Sequence, residues 1–269
     1  MEHKDKRSPD FVRFLQIHLT EHCNLNCKGC THFSPLAKEK YLGLDELDGM
    51  LDNIEPFLDK WFKRLELLGG EPLLHPDIEK IIELTRKHFK TTEVRLVTNG
   101  VKLPAMPESF FDTIRDNSIV IAISRYPLDL DYEVIEKKLE EKSIPLKYYG
   151  EYTDRKTFRQ YRLNPNGTYD SKTSYSKCKF AGHCLQLKGN RIYPCFIPAY
   201  ANYLNEYFGT GFTWESGDYI ELDHTIDYRE FMSIAAEPVP FCRYCNMEDQ
   251  TEFEWEPSRK DPAEWLETI

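Results

Sequence analysis

Apolar positions follow two alternating patterns over the first half of the chain. Short, nearly unbroken apolar runs occur at 11–19, 65–68, 94–97, 119–124 and 144–149. Runs of this length, rich in Val, Ile and Leu, predict strands covered on both faces. Between them lie stretches with helical spacing. In 44–62 the apolar residues fall at 44, 47, 51, 54, 58 and 61, with Pro56 as an expected kink. The stretch 77–89 places Ile78, Ile81, Ile82 and Phe89 on one face, after an N-cap at Asp77. Helices are also predicted over 107–115 and 131–142. Alternating strand and helix from residue 11 to about 150 predicts a parallel βα barrel, with its site at the C-terminal strand ends.

The pattern then changes. Residues 151–177 are rich in Tyr, Asn, Lys, Ser and Thr, with Asn164-Pro-Asn-Gly167 as a turn. This predicts a connecting loop, either crossing the substrate opening or simply solvated. Gly189-Asn190 predicts a two-residue hairpin turn. Pairing outward from it sets Leu187 opposite Ile192 and Cys184 opposite Cys195, with Cβ atoms about 5 Å apart. A helix is expected over 224–236. The domain division that follows is a core at 1–150, a connection at 151–177 and a small module at 178–269.

Cysteine placement adds the chemistry. The eight cysteines form two groups: Cys23, Cys27 and Cys30, then Cys178, Cys184, Cys195, Cys242 and Cys245. Three thiols spaced C-x3-C-x2-C on the loop after the first strand suit a soft metal. A 4Fe-4S cluster held by three cysteines keeps one iron open, whereas structural zinc wants a fourth ligand. The second group makes either a zinc site or an iron–sulfur cluster. The formal net charge of −10 does not indicate a nucleic-acid surface. The polar start lacks the apolar segment of a signal peptide, and no apolar run is long enough to span a membrane. A cytoplasmic location is expected, where cysteines ligate metals rather than form disulfides.

These motifs resemble the radical S-adenosylmethionine (radical SAM) superfamily. The three-cysteine loop is its signature. Leu65-Glu-Leu-Leu-Gly-Gly-Glu-Pro-Leu74 resembles its GGE motif, and Val94-Arg-Leu-Val-Thr-Asn-Gly100 its third strand and turn. The resemblance covers about 11–150 and implies an α/β fold with a partial (βα)6-type TIM-like barrel. It also implies a 4Fe-4S cluster on Cys23, Cys27 and Cys30, with S-adenosylmethionine bound at the open iron. Gly69, Gly70 and Glu71 would meet the methionine amino group through backbone carbonyls, with Thr98 and Asn99 on the neighbouring turn. Ser124 stands where the family contacts the ribose or carboxylate, or caps a strand end. Arg125 is placed for the methionine carboxylate or as a rim charge. One departure is Gly29, where the family usually has an aromatic residue before the third cysteine.

The later cysteines, with hairpin, helix and C-x2-C, resemble the Twitch module, a shortened SPASM domain that carries one auxiliary 4Fe-4S cluster. Cys195, Cys242 and Cys245 are the expected ligands, and Cys178 and Cys184 compete for the fourth seat. The resemblance implies hydrogen abstraction from a carbohydrate, aminocyclitol or polyol, with an electron donor such as flavodoxin or ferredoxin. Only about ten residues precede the first strand, so no module gripping a leader peptide is expected. Glu215 and Asp218 are candidate proton acceptors, and Arg159 or Arg162 a candidate phosphate contact. Peptide or protein modification is the alternative enzyme reading. A non-catalytic electron carrier is the third, and the GGE motif argues against it.

Overall fold

The computed structural model describes residues 6–8, 11–149, 157–223 and 226–267. By its contacts the chain divides into two units. The first holds Ile17–Asn24 and Glu39–Lys156, and the second Met1–Gln16, Leu25–Lys38 and Thr157–Ile269. Neither matches a simple cut at residue 150, because the second unit takes back the loop that bears Cys27 and Cys30.

Five strands follow the apolar runs: β1 (Phe14–Thr20), β2 (Arg64–Gly69), β3 (Glu93–Thr98), β4 (Val120–Ile123) and β5 (Leu146–Tyr148). Their helices are α1 (Leu44–Ile54), α2 (Leu58–Trp61), α3 (Ile78–His88), α4 (Glu108–Asp116) and α5 (Tyr132–Glu141). The single helix expected over 44–62 is thus two, α1 and α2, broken around Pro56. Proline lacks the amide hydrogen that would continue the ladder. Pairs β2–β3, β3–β4 and β4–β5 are parallel. The fold is α/β with a mostly parallel sheet, in which the strands of the first unit stand in the order β5-β4-β3-β2-β1. Sequential neighbours of this kind belong to a barrel wound in one direction. Every residue of β1 is buried, and Leu15, Ile17 and Leu19 are fully so.

In the second unit, β7 (Cys184–Lys188) and β8 (Arg191–Tyr193) form the expected hairpin, with Leu187 opposite Ile192. A two-residue β9 (Ile220–Glu221) follows β8 in the sheet. Where a connecting loop is expected, the structure has β6 (Thr157–Leu163) and α6 (Ser171–Lys177). Residues 151–156 lie outside the described residues. Strand β6 pairs antiparallel with β10 (Cys245–Glu254) in a separate two-stranded ribbon. Helices α7 (Phe196–Tyr200), α8 (Asn202–Phe208) and α9 (Tyr228–Ala235) complete the unit. The helix expected from 224 begins at Tyr228, with 224–225 outside the described residues. No helix among the described residues is long and apolar enough to cross a membrane.

Candidate active site

In the first unit the C-terminal ends of β2 and β3 are held by backbone contact and one buried carboxylate. Gly70 N–H donates to Thr20 O at 2.8 Å, and Glu71 N–H to His22 O at 3.1 Å. A Cβ at Gly69 would meet Thr20 O at 2.2 Å, and one at Gly70 would meet His22 O at 1.9 Å. Only glycine permits this approach, which pins the backbone leading to Cys23. The fully buried Glu71 carboxylate accepts from Thr98 Oγ1 at 2.6 Å, Asn99 N at 2.9 Å and Leu73 N at 3.0 Å. Burial pushes its pKa up to about 7, against the pull of those three donors. Both oxygens therefore organise the strand ends. Asn99 Nδ2 reaches Asn24 Oδ1 at 2.8 Å and Cys23 Sγ at 3.8 Å. Ser124 follows β4, with its N–H on Thr98 O at 2.9 Å. The Arg125 guanidinium stacks over Tyr132, 4.3 Å from the ring centroid, and lies 5.7 Å from that of Tyr148. Thus Gly69, Gly70, Glu71, Thr98 and Asn99 come together beside Cys23, while Arg125 rests on aromatic rings.

In the second unit the loop with Cys27 and Cys30 is backed by the C-terminal segment. Lys28 N–H donates to Glu256 O at 3.0 Å, Ser258 N–H to Asn26 O at 2.7 Å, and Cys27 bridges Pro257. The Trp255 indole N–H points at Cys27 Sγ at 3.1 Å, and the Trp265 indole donates to Cys30 O at 2.9 Å. A Cβ at Gly29 would meet the Phe253 ring at 3.6 Å. Burial pushes the Cys30 thiol up, and backbone donors at Ser34, His32 and Phe33 pull it down. Donors directed at Cys23 and Cys27 sulfur fit anionic thiolates of the kind an iron–sulfur cluster needs. Sequence reasoning missed Trp255 and Trp265. No local pattern ties residues 255–265 to a loop more than two hundred positions earlier.

Four of the five later cysteines line one cavity with apolar neighbours. Cys178 follows α6, Cys195 opens α7, Cys242 lies in the turn Pro240–Tyr244, and Cys245 begins β10. Val239, Phe241 and Ile197 are among the remaining walls. The N–H groups of Phe180 and Ala181 both donate to Cys178 Sγ at 3.4 Å. Burial, with the other thiols beside it, pushes Cys242 up to about 12 and drives Cys195 and Cys245 well above the ordinary range. Cys195, Cys242 and Cys245, three thiols that resist ionising alone, fit a centre whose positive charge takes them as thiolates. The Lys6 ammonium also donates to Cys178 O at 2.9 Å. Cys184 does not line this cavity. Hairpin pairing runs only from Lys188–Arg191 to Gln186–Tyr193, so Cys195 leaves the ladder before it faces Cys184.

The expected proton acceptors have other partners. Asp218 is fully buried, with Oδ2 accepting from Glu215 N at 2.7 Å and Oδ1 from Phe241 N at 2.6 Å. It ties the 215–218 turn to the Cys242 segment. Glu215 pairs with Arg243 at 2.6 Å. On the ribbon, Arg159 pairs with Glu252 at 2.9 Å, and Arg162 reaches Thr251 Oγ1 at 3.5 Å.

Comparison with known proteins bears on the three-cysteine loop and the strands that follow it. Residues 17–141 match the model of the Radical SAM superfamily. The chain carries a radical SAM domain. It is 29% identical over 101 residues to GTP 3',8-cyclase of Aliarcobacter butzleri (strain RM4018), covering 38% of this chain and 31% of that one. It is 34% identical over 97 residues to GTP 3',8-cyclase of Brucella ovis (strain ATCC 25840 / 63/290 / NCTC 10512), covering 34% of this chain and 27% of that one. The match spans less than a third of either relative. The solved structure of BtrN in complex with AdoMet and 2-DOIA shares the fold at a TM-score of 0.53 and 13% identity. That likeness covers 87% of this chain and 93% of BtrN.

The radical SAM domain match includes Cys23, Cys27 and Cys30, the Gly69–Glu71 turn, Thr98 and Asn99, and Ser124 and Arg125. Its family implies a 4Fe-4S cluster and S-adenosylmethionine. The four-cysteine cavity and both indoles on the cysteine loop lie beyond the matched residues.

Proposed function

We propose that this chain is a radical SAM enzyme acting on a small, hydroxyl-rich molecule of the carbohydrate, aminocyclitol or polyol class. Cys23, Cys27 and Cys30 hold the catalytic cluster in this reading, and Cys178, Cys195, Cys242 and Cys245 an auxiliary 4Fe-4S cluster. When bound, the reduced cluster and S-adenosylmethionine supply a 5′-deoxyadenosyl radical that abstracts hydrogen from an unactivated C–H bond. The chain's own groups hold the reactants: the Gly69–Glu71 turn and the 98–99 turn form the end of the sheet next to Cys23. The reading also takes a low-potential flavodoxin or ferredoxin as donor, and a cytoplasmic setting.

One observation carries the substrate class. A 480 Å³ cavity beside Lys28 is lined by Gln160, Arg162, Glu256, Arg259, Asp261 and Glu264. Glu264 is buried, and its Oε1 accepts from Arg259 N at 2.8 Å, yet Oε2 has no hydrogen-bond partner. A buried acceptor left unpaired is costly, and a ligand hydroxyl would satisfy it. BtrN, solved with AdoMet and 2-DOIA, supports a small ligand on this fold.

Peptide modification is the second reading. It is favoured by β6, a seven-residue strand whose only partner strand among the described residues is β10. Such a strand offers an edge for peptide addition. Anaerobically reconstituted, reduced protein is expected to release 5′-deoxyadenosine from S-adenosylmethionine, faster with polyols or aminocyclitols than with peptides. No release under any condition removes the enzyme reading. Stimulation by peptides alone replaces the first substrate class with the second.

A further inference from the structure

Trp255 directs its indole at a cysteine of the C-x3-C-x2-C motif. Its Nε1–H lies 3.1 Å from Cys27 Sγ, against 3.8 Å from Asn99 Nδ2 to Cys23 Sγ. Attraction between an N–H dipole and a sulfur bearing negative charge falls off with distance, so the indole has the stronger hold. Its position is set by backbone on the C-terminal side. Glu256 O receives Lys28 N–H, Ser258 N–H reaches Asn26 O, and Pro257 bridges Cys27. Lys28 Nζ pairs with Glu256 at 2.6 Å, fastening the same junction. These contacts fix the backbone on the C-terminal side of the indole against the loop that bears Cys27.

We infer that Trp255 is a positioning residue that sets the reduction potential of the cluster on the three-cysteine loop, through its indole N–H on Cys27 sulfur. The inference rests on that loop holding a cluster, as proposed above. One-electron reduction makes the cluster more negative, and part of that charge resides on the cysteine sulfurs. A fixed N–H dipole at Cys27 stabilises the reduced form more than the oxidised form. Removing the dipole leaves the ring's packing but makes reduction harder. A low-potential one-electron donor would then reduce a smaller fraction of the enzyme.

The test is a potentiometric titration of the reconstituted full chain, followed by electron paramagnetic resonance, beside Trp255→Phe and Trp265→Phe. Trp265→Phe is the control, because its indole meets the Cys30 carbonyl and not a sulfur. Trp255→Phe should keep its iron and show a midpoint lowered by the equivalent of roughly tenfold in the redox equilibrium, about 59 mV for one electron. Trp265→Phe should leave the midpoint unchanged. An iron-loaded Trp255→Phe with an unmoved midpoint overturns the inference, as does an equal shift in Trp265→Phe. Should Trp255→Phe fail to load, wild-type protein carrying 15N-indole tryptophan decides. A 15N coupling at the reduced cluster supports the contact, and its absence rejects it. Iron content and 5′-deoxyadenosine release report separately on the cluster itself, so loss of those signals in wild-type protein condemns the underlying reading rather than the role of Trp255.

Discussion

Glu71 shows how one side chain can be recognised in sequence and yet have a role only structure reveals. The Gly-Gly-Glu string marks a turn where backbone comes close to a partner, and the clash distances at Gly69 and Gly70 give the reason for the glycines. The carboxylate itself faces inward and takes two backbone N–H groups and one hydroxyl. Its folded pKa of about 7 lies above the ordinary 4.5. Below pH 4.5 folded and unfolded chains both bind the proton. Between about 4.5 and 7 only the folded chain keeps it, so stability falls as pH rises through that window. The shift corresponds to roughly 3 kcal/mol, an order-of-magnitude figure for so buried a group. Glu71→Gln, which cannot ionise, should flatten this slope when denaturation midpoints are compared from pH 5 to pH 8. It should also lose about 1–3 kcal/mol for an amide set against donor N–H groups. An unchanged slope in the variant would place the titration elsewhere. Asp218 illustrates the opposite case. Its residue type suggested acid–base chemistry, but burial against Glu215 N–H and Phe241 N–H makes it a brace.

At the scale of elements, what was legible depended on how strongly each element is buried. Strands β1 to β4 are buried along most of their length, so their apolar runs stand out in sequence. Helices α1 and α3 to α5 each bury one face and show the matching period. Gly189, with φ of +55°, gives the β7–β8 turn its signal. Strands β6 and β10 form a two-stranded ribbon with many exposed polar positions, such as Thr157, Arg159, Thr251 and Glu252. An element that buries so little leaves a weak pattern, which is why 157–163 read as loop. The same limit affected the cysteines. Hairpin register was right at Leu187 and Ile192, but it does not extend to Cys184 and Cys195, where the chain turns into α7. If a metal centre occupies the four-thiol cavity, Cys178→Ala should remove it, because Cys178 lines the cavity and its sulfur takes two backbone N–H groups. Cys184→Ala should keep it, with a loss of packing of about 1 kcal/mol. Iron and zinc content of both variants, measured beside wild type, checks this. A Cys184 variant that loses its metal while Cys178→Ala retains it would reverse the assignment.

On the scale of the whole molecule, the two units are interleaved in sequence, and that division was the least legible feature. Residues 25–38 group with the C-terminal part of the chain. Lys28 to Glu256, Asn26 to Ser258, Cys27 to Trp255 and Cys30 to Trp265 are all contacts across more than two hundred positions. Periodicity and motif spacing are local quantities and carry no information on such pairing. A cut placed at residue 150 from the change in composition therefore separates a cysteine loop from the segment that supports it. The two cysteine groups yield a prediction of their own. Held on separate residues, the two centres should load independently: anaerobic reconstitution should give about eight irons per chain from two four-iron clusters. Changing Cys23, Cys27 and Cys30 to Ala should leave about four, as should changing Cys178, Cys195, Cys242 and Cys245 to Ala. Only the second of these variants should keep the three-cysteine cluster that the radical SAM domain implies, and with it a site for S-adenosylmethionine. Zinc in place of iron in the first variant would make the four-thiol cavity a structural zinc site. Full iron in that variant would mean that the front loop holds no cluster at all.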